Sequence, residues 1–427
     1  VITNYASAIA YLEAHVGQGV KPGLERITAV LDLLANPEAG YPIIHVAGTN
    51  GKTSTTRMAA VLLSGHGISP GTFTSPHLQR IEQRYEHGLH PMSPAELVLA
   101  LNELAPIIEL AENRLGEGIT YFEITAALAY AWFAERAVNA AVIETGLGGR
   151  LDATNAATSD VAVVTTIGIE HTAYLGDTIA LIAAEKLAIL DEGAVLVTGA
   201  LVPEALEVAA RVAESRAARW FRRGVEYDAT GVERVDAGWR FDIRSAFGDY
   251  TDVELRLRGR HQVDNFMTAV CAVEALFDRQ LDEAGVREAA ATVTTPGRME
   301  IIRREPLLIL DGAHNPHAMV ALGAALKDEF PTTRFQLVLG VMTDKDLGQM
   351  LGSLDGAVLG VHAAAADSNR ARDPEQVATL AGEALGVPAR THDSVAEALT
   401  AATATGDAVL VTGSLYVVGE ARDALGL

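Results

Sequence analysis

Internal disulfides are excluded at once, because the chain holds a single cysteine, Cys271. That usage suits a reducing compartment. Cys271 sits in the apolar run "AVCAVEAL", where a small buried core residue is the better reading than a reactive thiol. Long apolar runs are also missing. No stretch reaches 18 consecutive apolar residues, so no membrane span is expected. The first segment, "VITNYASAIAYLEAHVG", is amphipathic and lacks the basic start and cleavage site of a secretory leader. A cytoplasmic location is therefore expected. Basic residues are in deficit: the formal net charge is −22. Nucleic acid is excluded as the main partner, since phosphate backbones need basic stripes. A small anionic ligand is not excluded, provided loop amides, helix N-termini and a few Lys or Arg supply local positive charge.

What is present suits a globular chain. Its 427 residues, 49% hydrophobic and 21% charged, are enough for two or three domains with substantial cores. "PIIHVAG" (42–48), "AAVIETG" (140–146), "VAVVTTIG" (161–168) and "AVLVTG" (194–199) read as buried strands separated by helical stretches such as "EITAALAYAWFAER" (123–136). Continuous apolar strands alternating with helices predict a parallel sheet covered on both faces. "WRFDIRS" and "DVELRLRG" alternate instead and predict antiparallel strands with one wet face. A helix follows, with Val263, Phe266, Met267, Val270, Val273 and Phe277 on one side. After the break "TTPGRME" (294–300) a second α/β series begins: "LLILDGA", "FQLVLGV", "AVLGVHA" and "AVLVTGS". The expected division is 1–294 and 295–427. The first part is a mostly parallel P-loop domain and the second a smaller, Rossmann-like α/β domain.

The motifs lie at strand ends. "GTNGKTS" is a phosphate-binding loop shorter than the common G-x-x-x-x-G-K-[ST] pattern, since position 46 is Val46 and the glycine present is Gly48. Gly48 and Gly51 allow the tight turn that aims backbone N–H groups, including those of Thr49 and Asn50, at phosphate oxygens. Lys52 can reach the terminal phosphates, and Thr53 or Ser54 can ligate Mg²⁺. "TSPHL" offers Ser75 and His77, with a capped helix start as the bland alternative. In "IETGLGGRLDATN", Glu144 ends a buried strand, where a free carboxylate is costly unless paired or bound to metal. A salt-bridged glycine turn is the alternative. "TTIGIEHTAYLG" places Glu170 and His171 at another strand end on the same sheet edge. Lys186, in "AAEKLAI", is either a snorkelling lysine or a partly buried one with a lowered pKa. Asp311 ends a strand in "LLILDGAHNPHA", which also holds His314, and "PGRME" supplies Arg298. These could grip a ribose and a phosphate or form an ordinary loop ion pair.

Together these segments resemble the folylpolyglutamate synthase/dihydrofolate synthase family, a branch of the Mur ligase superfamily. "GTNGK", "TSPHL", "YFEITA", "ETGLGGRLDATN", "IEHTAYLG", "EKLAI", "PGRME" and "DGAHNPHA" occur in the family's order over nearly the whole chain. The shortened phosphate loop is the superfamily's form. The resemblance implies an ATP-dependent ligase that joins L-glutamate to dihydropteroate or reduced folates, releasing ADP and phosphate. It implies that residues 48–54 and Lys52 hold the ATP phosphates, and that Ser75, Glu144 and His171 bind Mg²⁺, with two ions expected. Lys186 matches a lysine that is carbamylated in the family. Lys52, His171 and Lys186 are thus the expected catalytic residues. Asn265, Arg298 and Asp311 match nucleotide contacts. Phe122, Glu123, Ile124, Thr125, Leu151, Asp152 and Ala153 match pterin-side contacts, as does the loop Gly19–Pro22, and His314 is expected at the substrate. Two departures stand out: Thr53-Ser54 replaces the usual Gly-Ser, and Glu170 stands where Asp is common.

Three other readings compete, one of them a non-catalytic nucleotide-binding scaffold, which is disfavoured because nothing required for catalysis is visibly missing. A cell-wall Mur ligase would carry a UDP-binding domain ahead of the phosphate loop, and only 47 residues precede Gly48. A P-loop NTPase acting as a switch would leave Glu144, Lys186 and the second domain without a role. The expected partners are small molecules bound by a monomer, with no nucleic acid and no membrane.

Overall fold

The computed structural model describes residues 2–19 and 21–427. Val20, in the loop Gly19–Pro22 expected near the pterin, lies outside the described residues.

Three sheets organise the chain. The first has eight strands: β1 (Ile43–Ala47), β2 (Pro70–Phe73), β3 (Tyr85–His87), β4 (His90–Pro91), β5 (Ala140–Glu144), β6 (Val161–Val164), β7 (Val195–Thr198) and β8 (Arg219–Arg222). Their spatial order is β4-β3-β2-β5-β1-β6-β7-β8. The six from β2 to β8 are parallel, and β3 and β4 form an antiparallel edge. Every residue of β1 is buried, and the pleat sends its side chains to two cores. Ile44 and Val46 join the cluster under the helices Lys52–Gly65 and His261–Phe277, while Ile43 joins the one under Tyr121–Glu135. This explains why the strand reads as an unbroken apolar run. Register pairs Val46 with Glu144 on one side and with Val163 on the other. The carboxyl ends of the three central strands are therefore level, the usual ligand edge of such a sheet.

The second sheet is antiparallel: β9 (Asp228–Val235), β10 (Gly238–Arg244) and β11 (Asp249–Leu255). Trp239, Phe241 and Ile243 point inward, and Phe241 meets Phe266 edge-on at 6.5 Å. The third sheet holds β12 (Glu300–Arg304), β13 (Leu307–Leu310), β14 (Phe335–Leu339), β15 (Val358–Ala363), β16 (Ala389–Thr391) and β17 (Ala408–Thr412). Their order is β12-β13-β17-β14-β15-β16, parallel apart from β12. Among the described residues no helix is long and apolar enough to cross a membrane. Cys271 is 1% exposed, and burial pushes its thiol pKa up.

Candidate active site

The phosphate loop runs from the end of β1 into the helix Lys52–Gly65, whose first residue is Lys52. Gly48 and Gly51 adopt φ of 152° and 86°, which favour glycine. Space imposes the same choice. A Cβ on Gly48 would strike the Thr165 hydroxyl, and one on Gly51 would meet the Asn265 amide. Asn265 is thereby seated against the loop.

Two lysines converge on one carbonyl. Lys52 Nζ and Lys186 Nζ each donate to Gly48 O at 2.9 Å. Lys186 also pairs with Glu170 Oε1 at 2.9 Å, with its side chain 2% exposed. Burial lowers the Lys186 pKa to about 8, against the opposing pull of Glu170. Burial alone would raise the Glu170 pKa, but Lys186 and Lys52 outweigh it and hold the carboxyl below its ordinary value. The extra methylene of Glu170 therefore ends on Lys186.

Glu144 closes the other side. It is 1% exposed and takes Thr53 Oγ1 at 2.8 and 3.0 Å and the Ser75 amide at 3.1 Å. Burial raises its pKa, partly offset by Lys52 and Thr53. Of the two loop hydroxyls, Thr53 faces the carboxylate, while Ser54 is buried in the helix. His171 caps the short helix Thr172–Leu175 with φ 47°, a conformation non-glycine residues adopt only where surroundings impose it. Its ring makes no hydrogen bond among the described residues. Its pKa is lowered by burial, with Lys345, Lys186 and Lys52 adding to the effect against Glu170. Among the described residues no group of three or more His, Cys, Asp and Glu forms a ready metal cage. Thr53, Ser75 and Glu144 nevertheless fit Mg²⁺: a buried carboxylate with the Thr53 hydroxyl oxygen at 2.8 Å, and with Ser75 held beside it through its amide, suits a hard cation that shares its shell with phosphate oxygens.

The second α/β series reaches this loop. The Asn50 amide contacts His317 Nδ1 at 3.0 Å, and Asn315 Nδ2 donates to Asn50 Oδ1 at 3.1 Å. Asp311 accepts from the Met299 and Ala313 amides at 2.8 and 2.9 Å. It forms no ion pair with Arg298, whose guanidinium lies against Gly312. His314 donates from Nδ1 to Gly312 O at 2.8 Å, and burial lowers its pKa to about 4.

The pterin-side candidates divide. Phe122 keeps exposed surface and packs on Gly146, where a Cβ would clash. Leu151 is also partly exposed. Ile124 and Thr125 are fully buried and Ala153 nearly so, because the helix Tyr121–Glu135 is enclosed after its first turn. Asp152 organises its own loop, accepting from the Leu147 amide at 2.7 Å and from Thr154 at 3.0 and 2.6 Å. Glu123 completes a capping box with Thr120 and receives Arg26 Nε at 2.9 Å. Arg26 in turn holds the Lys21 carbonyl at 2.5 Å. Glu123 thus anchors the loop before Arg26 through a buried pair. Lys345 was not anticipated, though "MTDKD" follows a strand and its charge reaches His171 and His314.

Two Mur ligase models match: the middle domain over residues 46–273 and the glutamate ligase domain over residues 297–415. The fold and the phosphate-loop site are thus those of an ATP-dependent acid–amino-acid ligase of the Mur type. A Mycobacterium tuberculosis dihydrofolate synthase/folylpolyglutamate synthase is 36% identical, covering 95% of this chain and 91% of its own. The Bacillus subtilis enzyme of the same description is 32% identical over the full length of both. The M. tuberculosis folylpolyglutamate synthase structure complexed with ADP and AMPPCP superposes with a TM-score of 0.94 at 36% identity, covering 99% of each chain. Escherichia coli FolC in complex with DHPP and ADP gives 0.87 at 31% identity, covering 99% and 98%. The chain belongs to the folylpolyglutamate synthase/dihydrofolate synthase family.

Proposed function

We propose that the enzyme adds L-glutamate both to dihydropteroate and to reduced folates. The observation that supports it most is the convergence of Lys52, Thr53, Ser75, Glu144 and Lys186 on one phosphate loop bridged to a second lobe. We divide the chain at 294/295, between the helix ending at Thr292 and the strand beginning at Glu300. The first part carries the phosphate loop and pterin side. The second completes the nucleotide and glutamate side.

The triphosphate binds on the backbone N–H groups of residues 51–54 at the helix N-terminus, with Gly48, Thr49 and Asn50 shaping the loop, since the Thr49 and Asn50 amides expected to face phosphate donate instead to Thr166 O and Oγ1 at 2.8 and 3.0 Å. Asn265, Arg298 and Asp311 contact the rest of the nucleotide. Ser75, Glu144 and His171, with the Thr53 hydroxyl beside Glu144, would hold Mg²⁺, which would neutralise phosphate charge. A substrate carboxylate is repelled by the γ-phosphate, and Lys52 reduces that repulsion. The carboxylate oxygen then bonds to phosphorus as ADP leaves, giving an acyl phosphate. The neutral glutamate amine bonds to the acyl carbon, the bond from that carbon to the phosphate oxygen breaks, and the departing phosphate takes the proton the amine gives up. His314, with Nδ1 fixed on Gly312, leaves Nε2 free to accept a hydrogen bond from that amine. Phe122 and Leu151 offer exposed apolar surface to the pterin side. Asp152, Ala153, Glu123, Ile124 and Thr125 shape that wall from behind. In the working enzyme Lys186 is carbamylated, its buried amine giving up the Glu170 pair. The test is glutamate-dependent phosphate release with dihydropteroate and with tetrahydrofolate, each against a blank without acceptor. Release with neither would overturn the ligase reading. Release with tetrahydrofolate alone would leave a polyglutamylase.

A further inference from the structure

Among the described residues, Arg84 is a buried cation without a counter-ion. It is 6% exposed, at the end of the turn Ile81–Arg84. Such a guanidinium is ordinarily paired, because an isolated charge in a dry setting is costly. Three other arginines with little exposure show such pairing. Arg26 holds Glu123 at 2.9 Å, Arg57 holds Glu86 at 2.9 Å, and Arg258 holds Glu329 at 2.8 Å. Arg84 has no carboxylate within ion-pair distance among the described residues. Its only acceptor there is a neutral one, His77 Nδ1, to which Nε donates at 3.1 Å. Burial, with Arg84 adding to it, lowers the His77 pKa to about 3, so this imidazole stays neutral and free to accept the Arg84 hydrogen. Beneath the guanidinium lies the Tyr121 ring, 5.5 Å from Cζ to centroid. Imidazole and ring together fix the plane of the fork and leave its terminal N–H groups unused. None of the Arg84 nitrogens is among the fully buried polar atoms lacking a partner. The free N–H groups therefore open onto accessible space.

The turn that carries Arg84 adjoins the second lobe: Gln83 Oε1 accepts from the Gln79 amide at 2.8 Å, and Gln79 Oε1 accepts from Arg422 Nε at 3.0 Å. The Arg84 carbonyl accepts from the Thr74 amide at 2.9 Å, next to Ser75, whose own amide binds Glu144. Tyr121 precedes Phe122 on the pterin side. Tyr416, from the second lobe, is close enough to act on the Tyr121 phenol. A planar, pre-oriented fork with vacant donors matches a carboxylate in two-pronged geometry.

Building on the proposed function, we infer that Arg84 is the receptor for a non-reacting substrate carboxylate, the α-carboxylate of a glutamyl group. Two molecules could bring it: the glutamyl tail of a folate acceptor or the incoming L-glutamate. Dihydropteroate has no such tail, and that separates them. Steady-state kinetics of Arg84→Gln with each acceptor should show at least an about tenfold rise in one KM, with kcat changed far less. A raised KM for tetrahydrofolate alone assigns the tail. A raised KM for L-glutamate with both acceptors assigns the incoming amino acid. Arg84→Lys should recover part of the loss, and it carries the same test if Arg84→Gln does not fold. The α-amide of the assigned substrate should bind wild type as poorly as the carboxylate binds the variant. Unchanged KM for every substrate, or a loss confined to kcat, overturns the inference. Wild-type protein without glutamate-dependent release would instead remove the functional reading beneath it.

Discussion

Lys52 and Lys186 meet at Gly48 O, yet they differ in burial and so in chemistry. Lys52 is partly exposed at a helix start, placed to meet phosphate as a cation. Lys52→Ala should lower glutamate-dependent phosphate release by about a hundredfold or more, the scale of losing one preorganised charge contact. Circular dichroism should be unchanged; near wild-type turnover would remove the phosphate-loop assignment. Lys186 has a pKa lowered to about 8, so a usable fraction is neutral and open to CO₂ near neutral pH. Its contact with Glu170 and a carbamate exclude each other, since the carbamate is an anion. Lys186→Ala should lose most activity, and short carboxylic acids should restore part of it by filling the vacated site. Isotope-labelled bicarbonate should give a carbamate resonance in the active protein. A fully active enzyme with an unmodified Lys186 would refute this. Residue chemistry at strand ends was legible in the sequence, because a Glu, His or Asp closing an apolar run is conspicuous. Arg84 was not, since the absence of a partner is a fact of three-dimensional neighbourhood. Glu123 was half legible: Thr120-x-x-Glu123 spells a capping box, and the helix N-terminus claims that carboxylate.

The helix His261–Phe277 shows how an element carries an unusual group. Thirteen of its residues are buried, among them Glu274 at 0% exposure. Glu274 Oε1 accepts from Tyr250 at 2.6 Å and Ser245 at 3.0 Å, while Oε2 is buried without a partner. Burial raises its pKa to about 7 against an ordinary value of 4.5. Between those two values the folded chain keeps a proton that the unfolded chain has released. Stability from this group is complete below the lower value and declines as pH rises through the upper one. The full effect is on the order of 3 kcal/mol. Glu274→Gln should flatten this decline, so that its melting temperature relative to wild type is higher at pH 8 than at pH 5; parallel profiles would show the group to be ionised in the folded chain. The elements themselves were read unevenly. Buried central strands such as β1, β5 and β6 announced themselves as apolar runs. β10 and β11 were visible through alternation. The edge strands β4, β8, β12 and β16 and the neighbouring β3 were not, being short and partly exposed, and neither was β9, whose "ATGVERV" carries little apolar signal.

At the scale of the whole molecule, the proposed reading has the carboxylate and the amine meeting between two lobes, which would make lobe separation control the chemistry. Asn50, Asn315 and His317 bridge them at the phosphate loop. Arg422 Nε donates to Gln79 Oε1 at 3.0 Å, and Gln79 Nε2 to Asp423 at 2.8 Å. Between these polar contacts the backbones touch: a Cβ on Gly419 would fall on the Leu78 carbonyl. Gly419 lies inside the helix Leu415–Ala424. Alanine there is intrinsically the better helix former by about 1 kcal/mol. Gly419→Ala therefore opposes local preference to interlobe fit, and the two predict opposite outcomes. If the helix alone mattered, the variant would be more stable and as active as wild type. We expect the contact to dominate, because the obstructing atom is backbone and cannot rotate away. Leu78 belongs to the segment that carries Ser75, whose amide holds Glu144, so a wedge there disturbs the cation site along with the cleft. A displacement of about 1 Å is enough to lower an oriented reaction by roughly a hundredfold. Small-angle scattering should show a larger radius of gyration than wild type, with phosphate release reduced at least about tenfold and helical content preserved. Wild-type dimensions together with wild-type turnover would show that the lobes accommodate the methyl group, and that their contact at Gly419 does not set the geometry of the site.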